Sequence, residues 1–391
     1  MKGLRERRLS GSIILCCLCI IILTRCITPY EPSGVANSGG LLVVEAYIIA
    51  PTGSSIKISR TNGLQDEGDY EKVSDAQISV INDRGEIVAI AIEGEMGEYR
   101  IIDPVEFVAN TKYALDIKIG NENYRSSFEE PLITPQIDEL NWVSKNGGYE
   151  VDILLSTSDP LQQTGYYLWR YEEDWEYTSR LHSPERWDPY RGLVLTTNRD
   201  NAYYCWDSDY SRSFILGDTK KLHEGRLRDK VILNIKADNI RFSYLYSILV
   251  KQYAVPYGAY KYYDNMYKNI NESGGLFAPM PTEMDGNITN LTNPEESVIG
   301  YVLMSTETSK RIFIYGTEAP YMYRPHSGEC EQEPIYPEDD VSSPRVAYAG
   351  GWGISNVRDD GTYEYRRLRC LDCRTKISSK NKPDFWPTDH M

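Results

Sequence analysis

The stretch "WRYEEDWEY" (169–177) sets Glu172, Glu173, Asp174 and Glu176 around Trp175. Carboxylates beside an aromatic ring could serve a glycosidase, where one acid protonates the leaving oxygen, or a calcium site built from oxygens. The run also alternates as a strand does, so neighbouring carboxylates point to opposite faces and do not pair naturally. Trp169, Tyr171, Trp175 and Tyr177 share one face of that strand. Such a row stacks a sugar or peptide ligand if it is exposed, and fills the core of its domain if it is not.

The remaining reactive residues form no set. His182, His223, His326 and His390 are scattered, without HExxH or any other metal spacing. No GxSxG, P-loop or GxGxxG followed by a helix occurs, so hydrolase, NTPase and dinucleotide readings lack a motif. The residues therefore predict no metal, no cofactor and no enzyme. Cys205, Cys330, Cys370 and Cys373 are the cysteines beyond residue 26. An even number in an exported chain reads as disulfides, and zinc is disfavoured because CxxC occurs once, in "CLDC". A redox CxxC needs a helix N-terminus to lower its thiol pKa, and here Arg369 and Arg374 surround it instead. The simplest connectivity joins Cys370 to Cys373 and Cys205 to Cys330, and the spacing leaves the pairing open.

Export is read from the start of the chain. Lys2, Arg5, Arg7 and Arg8 precede an apolar run from Ser12 to Leu23, the composition of a secretory signal. The run is shorter than the roughly 20 residues a membrane-spanning helix needs. Leu23 lies three residues before Cys26, the spacing of a bacterial lipobox in which the cysteine is acylated and becomes the new N-terminus; Arg25 departs from its usual small residue. Cys26 is thus the expected lipid attachment site, and a triacylated cysteine holds a bilayer firmly. Without residues 1–25, which carry five basic and one acidic residue, the chain has 37 basic and 56 acidic residues, a formal charge of −19. A polyanion of that size repels phosphate backbones, so nucleic acid is a poor partner.

The elements that must position these residues are strands. Residues 27–40 are rich in Pro, Gly and Ser and read as a tether. About seven short strands follow, beginning with "LLVVEAYIIA" (41–50) and "SSIKISRT" (54–61), with turns every 8–12 residues. They predict an antiparallel, Ig-like sandwich over 41–135, ending at the Pro-containing "EEPLITPQID" (129–138). The rest, 136–391, predicts a larger β-rich domain with one or two helices. There "GYEVDILLSTSD" and "GYYLWRYEEDWEYTS" read as paired strands, and "SVIGYVLMSTETSKRIFIYG" (297–316) as two strands. The segment 256–275 reads as a helix punctuated by Pro256 and Gly274-Gly275, with Tyr260, Tyr263 and Tyr267 facing the core. In the irregular tail, Phe385 and Trp386 are expected to plug a hydrophobic slot. Tyrosine, 31 copies against 7 Phe, suits strand surfaces or a ligand face.

"CITPYEP", "LLVVEAYI", "WRYEEDWEY", "VKQYAVPYGAYKYYDNMYKN", "GNITNLTNPEESVIGYVLMSTETSKRIFI" and "CLDCRTKISSKNKPDFWP" follow one another in this order. Together they resemble the Bacteroidetes outer-membrane lipoprotein family catalogued as domain of unknown function 4249. The resemblance implies a prealbumin-like or Ig-like N-terminal module and an accessory role beside a TonB-dependent outer-membrane transporter, in nutrient capture or uptake. No activity is implied. A surface glycan- or peptide-processing enzyme using the carboxylates around Trp175, or a structural envelope or adhesion protein, are the alternatives.

Overall fold

The computed structural model describes residues 40–51, 53–62, 70–196, 202–271, 286–319, 330, 343–376 and 381–387. Cys26, the tether up to residue 39, Gly274-Gly275, His326 and His390 lie outside them. The protein is mainly β. Its first strands are β1 (Leu42–Ala50), β2 (Gly53–Arg60), β3 (Glu71–Lys72), β4 (Gln77–Asn82), β5 (Ile87–Glu93), β6 (Glu98–Ile101), β7 (Tyr113–Ile119) and β8 (Glu122–Ser126). Next come β9 (Ile137–Lys145), β10 (Glu150–Thr157), β11 (Tyr166–Thr178), β12 (Glu185–Asp188), β13 (Gly192–Leu195), β14 (Tyr204–Tyr210), β15 (Ile215–Asp218), β16 (Leu227–Lys236) and β17 (Leu245–Ala254). Helix α1 (Tyr257–Asn271), β18 (Ile288–Asn290), β19 (Ile299–Tyr315), α2 (Pro344–Ala349), β20 (Trp352–Val357), β21 (Tyr363–Arg367) and α3 (Leu368–Leu371) complete the described elements.

Period-two alternation places the N-terminal strands. On β1 the side chains of Leu42, Val44, Ala46 and Ile48 are fully buried on one face, and Glu45 points out on the other. Each large aliphatic of that row contributes roughly 1.5–3 kcal/mol by leaving water. Ile56 and Ile58 on β2, Val80 on β4, Leu115 and Ile117 on β7 and Tyr124 on β8 join the same core, so the sheet folds over itself in a sandwich-like roll. The turn after β4 is set by Asn82, whose side chain accepts from the main-chain N–H of Arg84 and Glu86.

The expected break near residue 136 is a joint instead. One path of hydrogen-bonded strands runs β14-β11-β17-β19-β1-β2-β6-β5-β4-β7-β8-β18, from the C-terminal region into the N-terminal roll. The weld is β19. Residues 297–316 do not make two strands: β19 is a single 17-residue strand. Its first half pairs in parallel with β1 and its second half antiparallel with β17. Parallel pairing within the large sheet, with the Tyr47 and Ile49 end also packed beside α1, accounts for the apolar run of β1, which Glu45 alone interrupts. The proline-containing connection is stitched to the same strand. Thr134, 4% exposed, donates through its N–H to Thr306 Oγ1 at 2.8 Å, and Thr306 N donates to Leu132 O at 3.2 Å.

The second core lies between the sheet carrying β11, β17 and β19 and a separate three-stranded sheet, β16-β10-β9. Strands β10 and β11 are therefore not partners, contrary to their expected pairing: β10 bonds β9 and β16, and β11 bonds β14, β15 and β17. They face each other across the core rather than along an edge. On the opposite face of the large sheet sits α1, through Ala259, Tyr262, Tyr263 and the half-buried Met266, the spacing of one helical stripe. Tyr263 is buried as expected, whereas Tyr260 is at the flank against Tyr166 and Tyr267 is 48% exposed. The stripe is centred about one residue away from the tyrosine row read in the sequence.

Candidate functional site

Strand β11 carries the residues singled out for chemistry, and its two faces dispose of them differently. Trp169, Trp175 and Tyr177 are buried in the second core, with Tyr171 half-buried against it. This corrects the reading of the row as a ligand platform: the facing sheet β16-β10-β9 covers the rings. Trp169 Nε1 donates to Gln252 Oε1 at 2.8 Å, which satisfies its polar edge, and Tyr177 Oη donates to Cys373 O at 3.3 Å.

Each carboxylate around Trp175 has its own partner. Glu172 pairs with Lys251 Nζ at 2.5 Å, and Asp174 with Arg311 at 3.3 Å. Glu176, fully buried, accepts from Trp386 Nε1 at 2.7 Å. Glu173 points into the core with 2% of its side chain exposed; Tyr246 Oη donates to it at 2.6 Å and Arg241 Nε lies 3.0 Å away. Burial pushes the Glu173 carboxyl pKa up, opposed by the Tyr246 hydrogen bond and the Arg241 charge. Asp174 is raised for the same reason and held back by Arg311. These are structural bonds on two opposite faces of a strand, and no two of the carboxyls are brought to one reaction centre. The tail delivers Trp386 to its slot, 5% exposed, while Phe385 stays 44% exposed beneath the Arg311 guanidinium.

A narrow concavity lies elsewhere, in residues the sequence did not single out. The β12–β13 hairpin, α2, the β20–β21 hairpin and the segment 368–374 wall it. Trp187, Tyr203, Tyr348 and Trp352 supply rings, and Arg186 and Arg374 supply charge at its edge. Its clear volume is only about 30 Å³. Such a slot suits a small flat group inserted between rings. Ser183 lies beside His182, yet it is not poised as a nucleophile: Oγ is 2.6 Å from the carbonyl oxygens of both Glu185 and Ile354, which share its single proton. The His182 ring instead meets Tyr203 edge-on. Among the described residues no group of His, Cys, Asp and Glu could hold a metal ion.

Two disulfides hold the last wall of this slot, and their pairing corrects the expected connectivity. Cys205 bonds Cys373, and Cys330 bonds Cys370. Cys370 lies on α3 and Cys373 in the turn after it, so their side chains leave the backbone in different directions, one toward residue 330 and the other toward β14. Main-chain bonds add to the attachment, from Leu181 N to Cys370 O and from Cys373 N to Ala202 O, both 2.9 Å. Cys205–Cys373 closes a separation of 168 residues, so replacing both with alanine is expected to destabilise the fold by about 2–4 kcal/mol. Urea unfolding of the variant, compared with the oxidised parent protein, measures it; equal stability of the two contradicts a structural bridge.

Fold and slot together define a mainly β, disulfide-pinned protein in which the acidic cluster of β11 is committed to its own scaffold. The chain belongs to the family described as domain of unknown function DUF4249, whose profile matches residues 27–311. The match ends within β19, so α2, β20, β21 and α3 lie beyond the matched segment. A comparison with curated proteins finds no match. No described helix is long and apolar enough to cross a membrane.

Proposed function

We propose that this protein is a non-catalytic accessory of a TonB-dependent outer-membrane transporter, anchored by an acylated Cys26 and contributing to nutrient capture or uptake in a member of the Bacteroidetes. The observation that carries the non-catalytic part is the commitment of Glu172, Glu173, Asp174 and Glu176 to Lys251, Arg241, Arg311 and Trp386. A glycosidase needs two carboxyls facing one bond, and these four hold strands and tail together instead. The anchor is supported by the basic start, the apolar run and the position of Leu23 before Cys26. The partner is supported by the family resemblance of the ordered segments. The aromatic slot offers a place for a flat portion of a cargo.

Gentle detergent extraction followed by affinity capture tests the partner: a large β-barrel transporter should co-purify in stoichiometric amount. Recovery of the protein alone under several mild detergents sinks the proposal. Cys26→Ser should shift the protein from the membrane fraction to the soluble one. Intact-mass measurement of a membrane-derived sample should show the acyl chains on the unaltered protein.

A further inference from the structure

We propose that a second concavity, on the outer face of the large sheet beside α1, binds a small zwitterion, an α-amino acid or short peptide. Three adjacent strands build it. Arg170 on β11 stands opposite Lys251 on β17, and Tyr253 on β17 stands opposite Glu307 on β19. Tyr47 of β1 closes one side. About 320 Å³ is clear between them, ten times the room in the aromatic slot.

Two charges of this concavity, Arg170 and Glu307, are held differently from those that brace β11. Arg241, Arg311 and Lys251 each hold a carboxylate. Arg170, half-buried, lies with its guanidinium 5.6 Å from the centre of the Tyr47 ring and makes no ion pair with any described residue. Glu307, also half-buried, accepts a 2.6 Å hydrogen bond from Tyr253 Oη and likewise pairs with no described cation. The two do not pair with each other. Arg60 on β2 also lacks a carboxylate among the described residues, but its guanidinium donates to Gly40 O at 2.6 Å, whereas Arg170 has no hydrogen-bond acceptor among them.

Opposite charges held apart in one concavity ask for a ligand that carries both. A carboxylate would take the guanidinium fork of Arg170, which is already oriented by the Tyr47 ring. An ammonium would meet the free oxygen of Glu307, whose other oxygen Tyr253 fixes. Burial and the neighbouring Glu307 charge push the Tyr253 hydroxyl pKa far up, so it stays a donor at any physiological pH. A simple anion meets Glu307 and a simple cation meets Arg170, so repulsion excludes each. The Lys251–Glu172 pair at the edge is neutral as a unit.

The proposal is independent of the transporter partner, because purified protein alone tests it. Titration calorimetry at low salt would use alanine, alanyl-alanine, N-acetyl-alanyl-alanine and alanyl-alanine amide. Alanine or the free dipeptide should bind, and blocking either end of the dipeptide should weaken binding at least tenfold. Arg170→Gln should remove the preference for acid over amide while keeping that for free over acetylated amine, and Glu307→Gln should do the reverse. Absence of binding by both alanine and the dipeptide, or blocked forms that bind as tightly as the free one, overturns it. The blocked ligands make that comparison on the unaltered protein, so the test stands even where a variant fails to fold.

Discussion

Replacing Arg241 with methionine is expected to cost the fold about 3–5 kcal/mol, because it leaves the Glu173 carboxylate buried without its cation. Arg241 Nε lies 3.0 Å from Glu173, which is 2% exposed, and the same guanidinium reaches Asp209 at 3.3 Å and covers the Trp175 ring. The deficit should depend on pH. An unfolded glutamate titrates near about 4.3. Burial raises the folded value, so between the two values the folded state holds a proton that the unfolded state has lost, and stability falls as pH rises through that window. Arg241 is among the groups that pull the folded value back down, and its removal extends the window upward. The variant should therefore be weakest at neutral pH and regain stability as the solution is acidified toward the unfolded value. Urea unfolding across this range measures it. A pH-independent deficit would show that Arg241 acts by packing alone. Adding Glu173→Gln to the variant should recover part of the loss at neutral pH, since it removes the uncompensated charge.

Gly300→Ala is expected to cost about 4 kcal/mol or more, or to abolish folding. Gly300 sits at the start of β19 with φ +135, and a Cβ built there would lie 1.9 Å from the carbonyl oxygen of Val44 on β1. A side chain cannot be accommodated by rotating something aside, because the obstacle is the main chain of the paired strand. The same residue pair is in register in the parallel β1–β19 ladder, so the substitution attacks the joint between the two cores directly. Gly120→Ala is the matched control. Its φ is +57 with no atom within 4 Å of the added carbon, so only the left-handed conformation is penalised, by about 1–2 kcal/mol. Equal losses for the two variants would mean that the close approach at Val44 is not what demands glycine.

Those two positions show where local pattern stops informing. The strands β1, β2, β4, β6, β7 and β8 were legible because each buries one face, and a side-chain period of two writes that burial into the sequence; β5 departs from this, with Ile87, Ile90 and Ile92 exposed and the small Ala91 buried. The turn after β4 rests on equally local chemistry, the Asn82 side chain and the main chain of Arg84 and Glu86. The helix near Pro256 was legible too, although its buried stripe through Ala259, Tyr262 and Tyr263 was misplaced, because tyrosine suits a buried and an exposed position equally. The acidic run in β11 showed that its carboxylates alternate in direction, and it could not show that Lys251, Arg241, Arg311 and Trp386 would meet them.

By itself, then, the sequence determined a mainly β protein, its succession of short N-terminal strands, an even set of cysteines available for bridging and the lack of any familiar catalytic motif. Tertiary structure alone decided that β19 joins two cores, that Cys373 bonds Cys205 rather than Cys370, and that the aromatic row of β11 is covered by β16-β10-β9. It alone also placed Arg170 and Glu307 in one concavity with neither ion-paired to a described residue. The reason is physical: alternation, turns and caps arise from interactions a few residues apart, whereas these contacts form across separations of up to 256 residues, as between Val43 and Ile299, and no local periodicity records them.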